Sequence, residues 1–376
     1  MKNSREGSTA HLIELCVAYF FSYVGTGILV KVFTGGIREP RMSDMEYLVN
    51  NTVGSSLLCL LAVVLLGWLR SPPAPGAAPT FHRPSELGVI VPSGICTAII
   101  IPGTTLLYTL PISVMVAMVI MRASVIIVSR IVDSVQIRQG LLKKKVLPEE
   151  NWAVAFALLA LATNLLLIPF AGFLESRGIE AKSVIGVSAG SLKGGFDFLH
   201  NPLAMTVLTM YIVSYAIRLY IMNWFKNARH GVSTLDNRGF FAWEQLTASV
   251  VMFSMLAFFY FAPPALGWTD HRFEIVHASV NKPDFAAFAS GVPFALVAFF
   301  SVFLFMFHGR TATFAGVVNR LTSLLAGTTA TVILALVWHT KPPAAQDWAS
   351  LGFILVAVWF LTRAESKRAA ELKRGT

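Results

Sequence analysis

Residues Thr311 to Trp338 read TATFAGVVNRLTSLLAGTTATVILALVW, a run whose one charged residue, Arg320, stands in its interior. A helix that crosses a bilayer needs ~20 consecutive, predominantly apolar residues, and this stretch exceeds that length. Its polar members are not scattered. Thr313, Gly316, Ser323 and Gly327 share one helical face with Arg320 at spacings near 3.6. Arg320 follows the start of the run by about nine residues, which at 1.5 Å per residue puts it roughly 14 Å into a ~30 Å hydrocarbon layer. A guanidinium there costs ~2.5–3.5 kcal/mol even on the lenient insertion scale, so it is expected to face a wet cavity and not lipid.

The rest of the chain agrees with a membrane reading. Of 376 residues, 55% are hydrophobic and 13% charged, against roughly 45–50% and 25% in soluble domains; the mean hydropathy is +0.65. Nine further spans are predicted, at 10–33, 47–69, 86–108, 111–134, 151–173, 201–224, 240–263, 286–308 and 345–363, making ten with 311–338. The first follows a polar lead from Met1 to Gly7 with no cleavage site after a short apolar core, so it is read as a span and not a signal peptide. Cys16, Cys59 and Cys96 fall in apolar runs without metal spacing, so neither a disulfide framework nor a metal or cofactor is expected.

The net charge of +10 sets an orientation. With the N-terminus inside, seventeen Lys and Arg residues lie in inner segments and eight in outer ones, which puts both termini in the cytoplasm. Lys143, Lys144 and Lys145 lie in a short inner loop and read as a topology determinant facing anionic headgroups, with no nucleic-acid partner. Short loops and tails favour a bacterial plasma membrane over an organellar (Golgi or ER) one.

The two halves echo each other. Tyr19 and Tyr23 in span 1 match Tyr211 and Tyr215 in span 6; Asn151-Trp152-Ala153 matches Asp347-Trp348-Ala349; Arg122 followed by Ser124 matches Arg320 followed by Thr322. A five-span unit is odd-numbered, so its second copy enters the membrane inverted. The predicted architecture is therefore all-α and polytopic, with ten transmembrane helices in two inverted five-helix repeats: residues 1–175, an outer connecting loop at 176–200, and residues 201–376. Inverted repeats are a mark of secondary transporters, whose solute site lies near the midplane.

Arg122 and Arg320, one from each half, are the leading site residues. Two guanidiniums without an obvious in-span acid favour an anionic ligand, and phosphate suits their forked donors best. The competing structural reading pairs each with an acid such as Asp133 or Glu244. Tyr19, Tyr23, Tyr211 and Tyr215 are expected to flank the solute. Asn50 and Asn51 in span 2, and Glu244 and Gln245 in span 7, would contact it or join helices by hydrogen bonds. Arg130 and Arg218 stand nearer the cytoplasmic ends, where long side chains snorkel to water. Glu14, a turn into span 1, reads as interfacial. Gly186-Val187-Ser188-Ala189-Gly190 fits a nucleophile elbow in letters only, since that motif needs a strand-to-helix turn with a His and an acid beside it; no enzyme is expected.

These features resemble the drug/metabolite transporter superfamily (EamA-like, and nucleotide-sugar or triose-phosphate transporter-like) over about residues 10–365. Leu107-Tyr108-Thr109-Leu110-Pro111-Ile112-Ser113 and Asp347-Trp348-Ala349-Ser350-Leu351-Gly352 resemble its repeat. Gly316-Val317-Val318-Asn319-Arg320 resembles the Gly-Ala-Leu-Asn-Lys motif in the ninth helix of GDP-mannose-type nucleotide-sugar transporters. The resemblance implies that Arg122 and Arg320 meet substrate phosphates, with Gly316 and Asn319 beside them. The seventh-helix Phe-Tyr-Asn-Asn motif of that subfamily is absent; Phe241-Ala242-Trp243-Glu244-Gln245 stands near its place.

The expectation is a secondary transporter, an antiporter of a phosphorylated or otherwise anionic organic solute working by alternating access. Its partners would be that solute and membrane lipids, and it would act as a monomer or homodimer. The alternatives are a proton-coupled exporter of amino acids or drug-like metabolites, which would depend on a carboxylate such as Glu14 or Glu244, and a lipid-binding or scaffold protein.

Overall fold

The computed structural model describes residues 8–70, 84–109, 114–142, 146–180, 202–228, 237–307, 309–340 and 345–374. The connecting segment beyond residue 180, with its Gly186–Gly190 motif, and Lys143–Lys145 lie outside the described residues, as do Leu110–Ser113 of the repeat-like segment. The described residues form twelve helices: α1 (Thr9–Thr34), α2 (Asp44–Leu65), α3 (Pro84–Thr109), α4 (Val114–Arg138), α5 (Pro148–Ser176), α6 (Pro202–Ala228), α7 (Asn237–Leu266), α8 (His271–Asn281), α9 (Phe285–Ala289), α10 (Gly291–Phe305), α11 (Ala312–Trp338) and α12 (Ala345–Arg374).

Local chemistry sets several boundaries. Ser43 caps α2 by accepting from the Glu46 amide at 3.2 Å, and Glu46 itself places an acid in the positive first turn. Pro148 opens α5, where a missing amide costs nothing. The Thr311 hydroxyl caps α11 through the Phe314 amide at 3.1 Å. The span expected over 286–308 is broken: Ser290 ends α9 and starts α10.

Eight helices among the described residues are long and apolar enough to cross a membrane. They coincide with eight of the predicted spans, and α4 and α5 occupy the places of the fourth and fifth. The outer surface confirms the solvent. Phe285, Leu65, Leu336, Phe261 and Phe21 are each two-thirds exposed or more, on a scale that only lipid covers without loss. The protein is a multi-pass membrane protein whose regular structure, among the described residues, is helical.

Inside, α5 packs along α12, α3 on α6 and α7, α1 on α10 and α11, α2 on α7 and α10, and α4 on α5, α6 and α11. Glycines set two of these crossings. A Cβ on Gly94 of α3 would lie 2.8 Å from the Glu244 carbonyl oxygen of α7, and one on Gly291 of α10 would lie 2.5 Å from the Ser55 amide of α2. Both approaches are to backbone, which cannot swing aside, so the helices meet at a distance only glycine permits.

Candidate functional site

Helices α4 and α11 carry the two arginines, and their mutual register is fixed. Asp133, near the end of α4, accepts the Ala312 amide at 2.9 Å and the Thr313 amide at 2.6 Å, which caps the start of α11. One turn further, a Cβ on Gly316 would lie 2.8 Å from the Ser129 hydroxyl. Moving back along α4 thus moves forward along α11, so the pair is antiparallel. That register brings Arg122 and Arg320 to one level within about a helical turn, ~5.4 Å. Both lie within electrostatic reach of the Tyr19 phenol.

Arg320 is 8% exposed. Its guanidinium carbon lies 5.0 Å from the centroid of the Tyr215 ring, and Tyr211, Tyr19 and Tyr23 complete its electrostatic surroundings. The four tyrosines come as two pairs one turn apart, Tyr19 with Tyr23 at 5.7 Å on α1 and Tyr211 with Tyr215 at 5.0 Å on α6. All four are expected from the sequence to flank the solute; in the structure they gather near Arg320.

The donor edge of Arg320 distinguishes it. Its Nε and Nη2 are buried and have no hydrogen-bond partner among the described residues. The same two nitrogens do the gripping in two other arginines of this chain. Arg218 gives Nε to Glu244 Oε1 at 2.9 Å and Nη2 to Glu244 Oε2 at 3.1 Å. Arg310 holds both carboxylate oxygens of Glu365 through its Nε and Nη2. Arg320 therefore presents, unpartnered, the bidentate edge that elsewhere in the molecule closes on a carboxylate. Aromatic faces offset part of its charge but give nothing to accept these two N–H groups.

The acids proposed as structural counter-ions are engaged elsewhere. Asp133 caps α11 and also accepts from Asn223 Nδ2 at 3.1 Å. Glu244, fully buried, takes Arg218 on both oxygens, with Ser93 Oγ at 2.6 Å and Thr97 Oγ1 at 3.3 Å added to Oε1. This corrects two expectations. Glu244 is a partner of Arg218 and not a group turned toward solute, and Arg218 does not snorkel: it is 6% exposed and neutralised in place.

Other predicted residues separate from the cluster. Asn50 donates to the Glu46 carbonyl at 2.9 Å and accepts from the Asp284 amide at 3.1 Å. Asn51 donates to the Tyr47 and Ser290 hydroxyls at 3.2 and 3.1 Å. Both thus join α2 to the α9–α10 segment. Asn319 donates to Ser301 Oγ on α10 at 3.1 Å, and Gly316 serves the close approach to Ser129. Gln245 is buried with Nε2 unpartnered, and Ser249, a turn later on the same face, has an unpartnered hydroxyl. Ser249 was not singled out from the sequence; its only signal there is the i, i+4 spacing from Gln245. Glu14 is exposed beside His11 at 3.3 Å.

No protein-family model matches this chain, and no curated protein matches it. Among solved structures, one described only as "Crystal structure of protein" aligns with 98% of this chain and 99% of its own, at 14% identity and a TM-score of 0.48.

Proposed function

We propose that the protein is a secondary transporter of an anionic organic solute, a phosphorylated one above all, and that Arg320 is the main anion ligand with Arg122 opposite. The observation that carries this reading is the unpartnered Nε/Nη2 edge of Arg320, nine-tenths buried in a ring of tyrosines. An uncompensated buried cation lowers the stability of the fold, and a site that holds one at the meeting of several helices is a functional hypothesis by default. Two permanent cations also suit antiport, because the empty site is electrostatically costly to carry across.

The packing supports a two-fold organisation. If α1, α2, α9–α10, α4 and α5 are paired with α6, α7, α3, α11 and α12 in the order of the ten spans, the main contacts exchange among themselves. The α1 contacts with α10 and α11 match those of α6 with α3 and α4, and α2 against α10 matches α7 against α3. The glycine crossings at Gly94 and Gly291 follow the same exchange. This favours two five-helix units around a shared site, and membership of the drug/metabolite transporter superfamily is proposed on that layout together with the Gly316–Arg320 motif. The termini are proposed to be cytoplasmic and the host membrane a bacterial plasma membrane.

Purified protein in liposomes loaded with a sugar phosphate should take up labelled sugar phosphate or inorganic phosphate in exchange. Arg320→Gln and Arg122→Gln should each remove that exchange. Exchange that survives the loss of either guanidinium refutes the clamp. Uptake of neutral or cationic solutes that is driven by a proton gradient and tolerates Arg122→Gln would point to the exporter instead.

A further inference from the structure

The turn between α10 and α11 (residues 306–307 and 309–311 among the described residues) and the helix ends beside it are tied by charged and polar side chains to α4, α5, α6 and α12, with α1 joined through α12. Arg310 holds Glu365 of α12, and Thr9 of α1 adds its hydroxyl to the same carboxylate at 2.8 Å. Thr311 donates to Glu150 Oε2 of α5 at 2.9 Å, while Arg368 of α12 reaches Glu150 Oε1 at 3.2 Å. Asp133 of α4 takes the Ala312 and Thr313 amides. Lys226 of α6 donates to the Phe305 carbonyl at 3.1 Å, at the C-terminus of α10. Glu365, Arg310, Arg368, Glu150, Asp133 and Lys226 are all buried. They comprise three carboxylates and three cations, in contrast to Arg320, whose Nε and Nη2 have no partner among the described residues.

From this arrangement we infer that the α10–α11 turn is the solute gate at the end of the bundle carrying both chain termini, seen here closed. The inference rests on the transporter reading. An apolar plug of this size would lose its whole hydrophobic contribution on wetting. Buried ion pairs behave differently, because the hydration regained on opening offsets most of the Coulomb energy lost. A charge-balanced seal therefore keeps its closed and open states close in free energy, as a two-state element must. The gate is also wired to the site. The Asp133 cap joins the end of α4, eleven residues from Arg122, to the start of α11, seven residues from Arg320. Separating the two helices at this end breaks the cap and uncovers the face of α11 that leads to Arg320.

The test uses Thr313→Cys, at a fully buried position under the seal, in full-length protein whose Cys16, Cys59 and Cys96 are replaced. Membrane-impermeant thiol reagent is applied to vesicles of each orientation. Labelling from the termini side should be slow in the sealed protein and at least tenfold faster when Glu365→Gln is added, with no change from the other side. The charge swap Arg310→Glu with Glu365→Arg should restore slow labelling. A cooperative thermal transition in each variant separates gate opening from unfolding. If Glu365→Gln folds and labels as slowly as the parent, or if the charge swap labels as fast as Glu365→Gln, the gate assignment is overturned. Labelling that follows the prediction while sugar-phosphate exchange is absent would keep the gate and remove the anion-carrier reading.

Discussion

Replacing Arg320 with methionine should stabilise the empty protein, whereas the same change at Arg218 should destabilise it. Both arginines are buried to within a few per cent of each other, so their desolvation costs are comparable. Arg218 recovers that cost from both oxygens of Glu244; its removal leaves a buried carboxylate held only by hydroxyls, a loss of about 3–5 kcal/mol. Among the described residues, Arg320 recovers the cation–π attraction of Tyr215, about 1–2 kcal/mol against a penalty of several kcal/mol. Methionine fills similar space without the charge, so the net gain should be about 1–3 kcal/mol. Thermal unfolding in detergent, followed by tryptophan fluorescence without added anion, reads the sign directly. Inorganic phosphate or a sugar phosphate should then raise the transition of the parent and leave Arg320→Met unmoved. If Arg320→Met lowers the transition as far as Arg218→Met does, the guanidinium has a counter-charge and the reasoning fails.

Two further perturbations probe the frame. Gly316→Ala puts a methyl 2.8 Å from Ser129 Oγ and 2.9 Å from its Cβ, so it should cost about 1–3 kcal/mol by overpacking; adding Ser129→Gly should recover most of the loss and Ser129→Ala should not, as unfolding midpoints will tell. At the α1–α2 turn, the hydrogen bond from Arg38 holds the Asp284 carboxyl below its usual range. A lowered folded-state pKa contributes stability that is present above the ordinary value of about 3.9 and is lost as pH falls through the folded value. Asp284→Asn should therefore flatten the acid limb of the thermal midpoint between about pH 5 and pH 3, by a modest amount because the pair is partly exposed. An unchanged acid limb would show that the pair carries no such linkage.

Much of the frame was legible because hydropathy is a local property. Most predicted spans meet a helix within a few residues, since an apolar run of that length satisfies its backbone only as a helix; the last helix runs on to Arg374 and the span at 286–308 is split at Ser290. The break at Ser290 was not legible; it lies where Gly54 of α2 meets Phe288 of α9 and Gly291 of α10 meets Ser55 of α2, contacts between segments more than two hundred residues apart. The tyrosine pairs were found by their repeat and spacing alone. For Asn50 and Asn51 the sequence left solute contact and helix joining both open, and for Gly316 it offered only the site, because an amide or a glycine inside a span is equally suited to solute and to helix packing. Arg310 and Arg368 counted in the sequence only as inner positive charge, although Glu150 and Glu365 stood at matching span ends as a signal of pairing.

The sequence by itself determined that the chain is helical, that it lives in a bilayer, and that arginines stand inside its spans, because each of these depends on composition within one segment. It ranked Arg320 above Arg218 by depth in the span alone and could not tell which of them has a counter-charge. Arg218 and Arg320 look alike along the chain, each alone in an apolar run. Only the tertiary structure decided that Glu244 closes on one while the Tyr215 ring lies against the other. The physical reason is that charge compensation acts over a few ångströms in space, and which side chains come within that reach is settled by the crossing of helices, not by the order of residues.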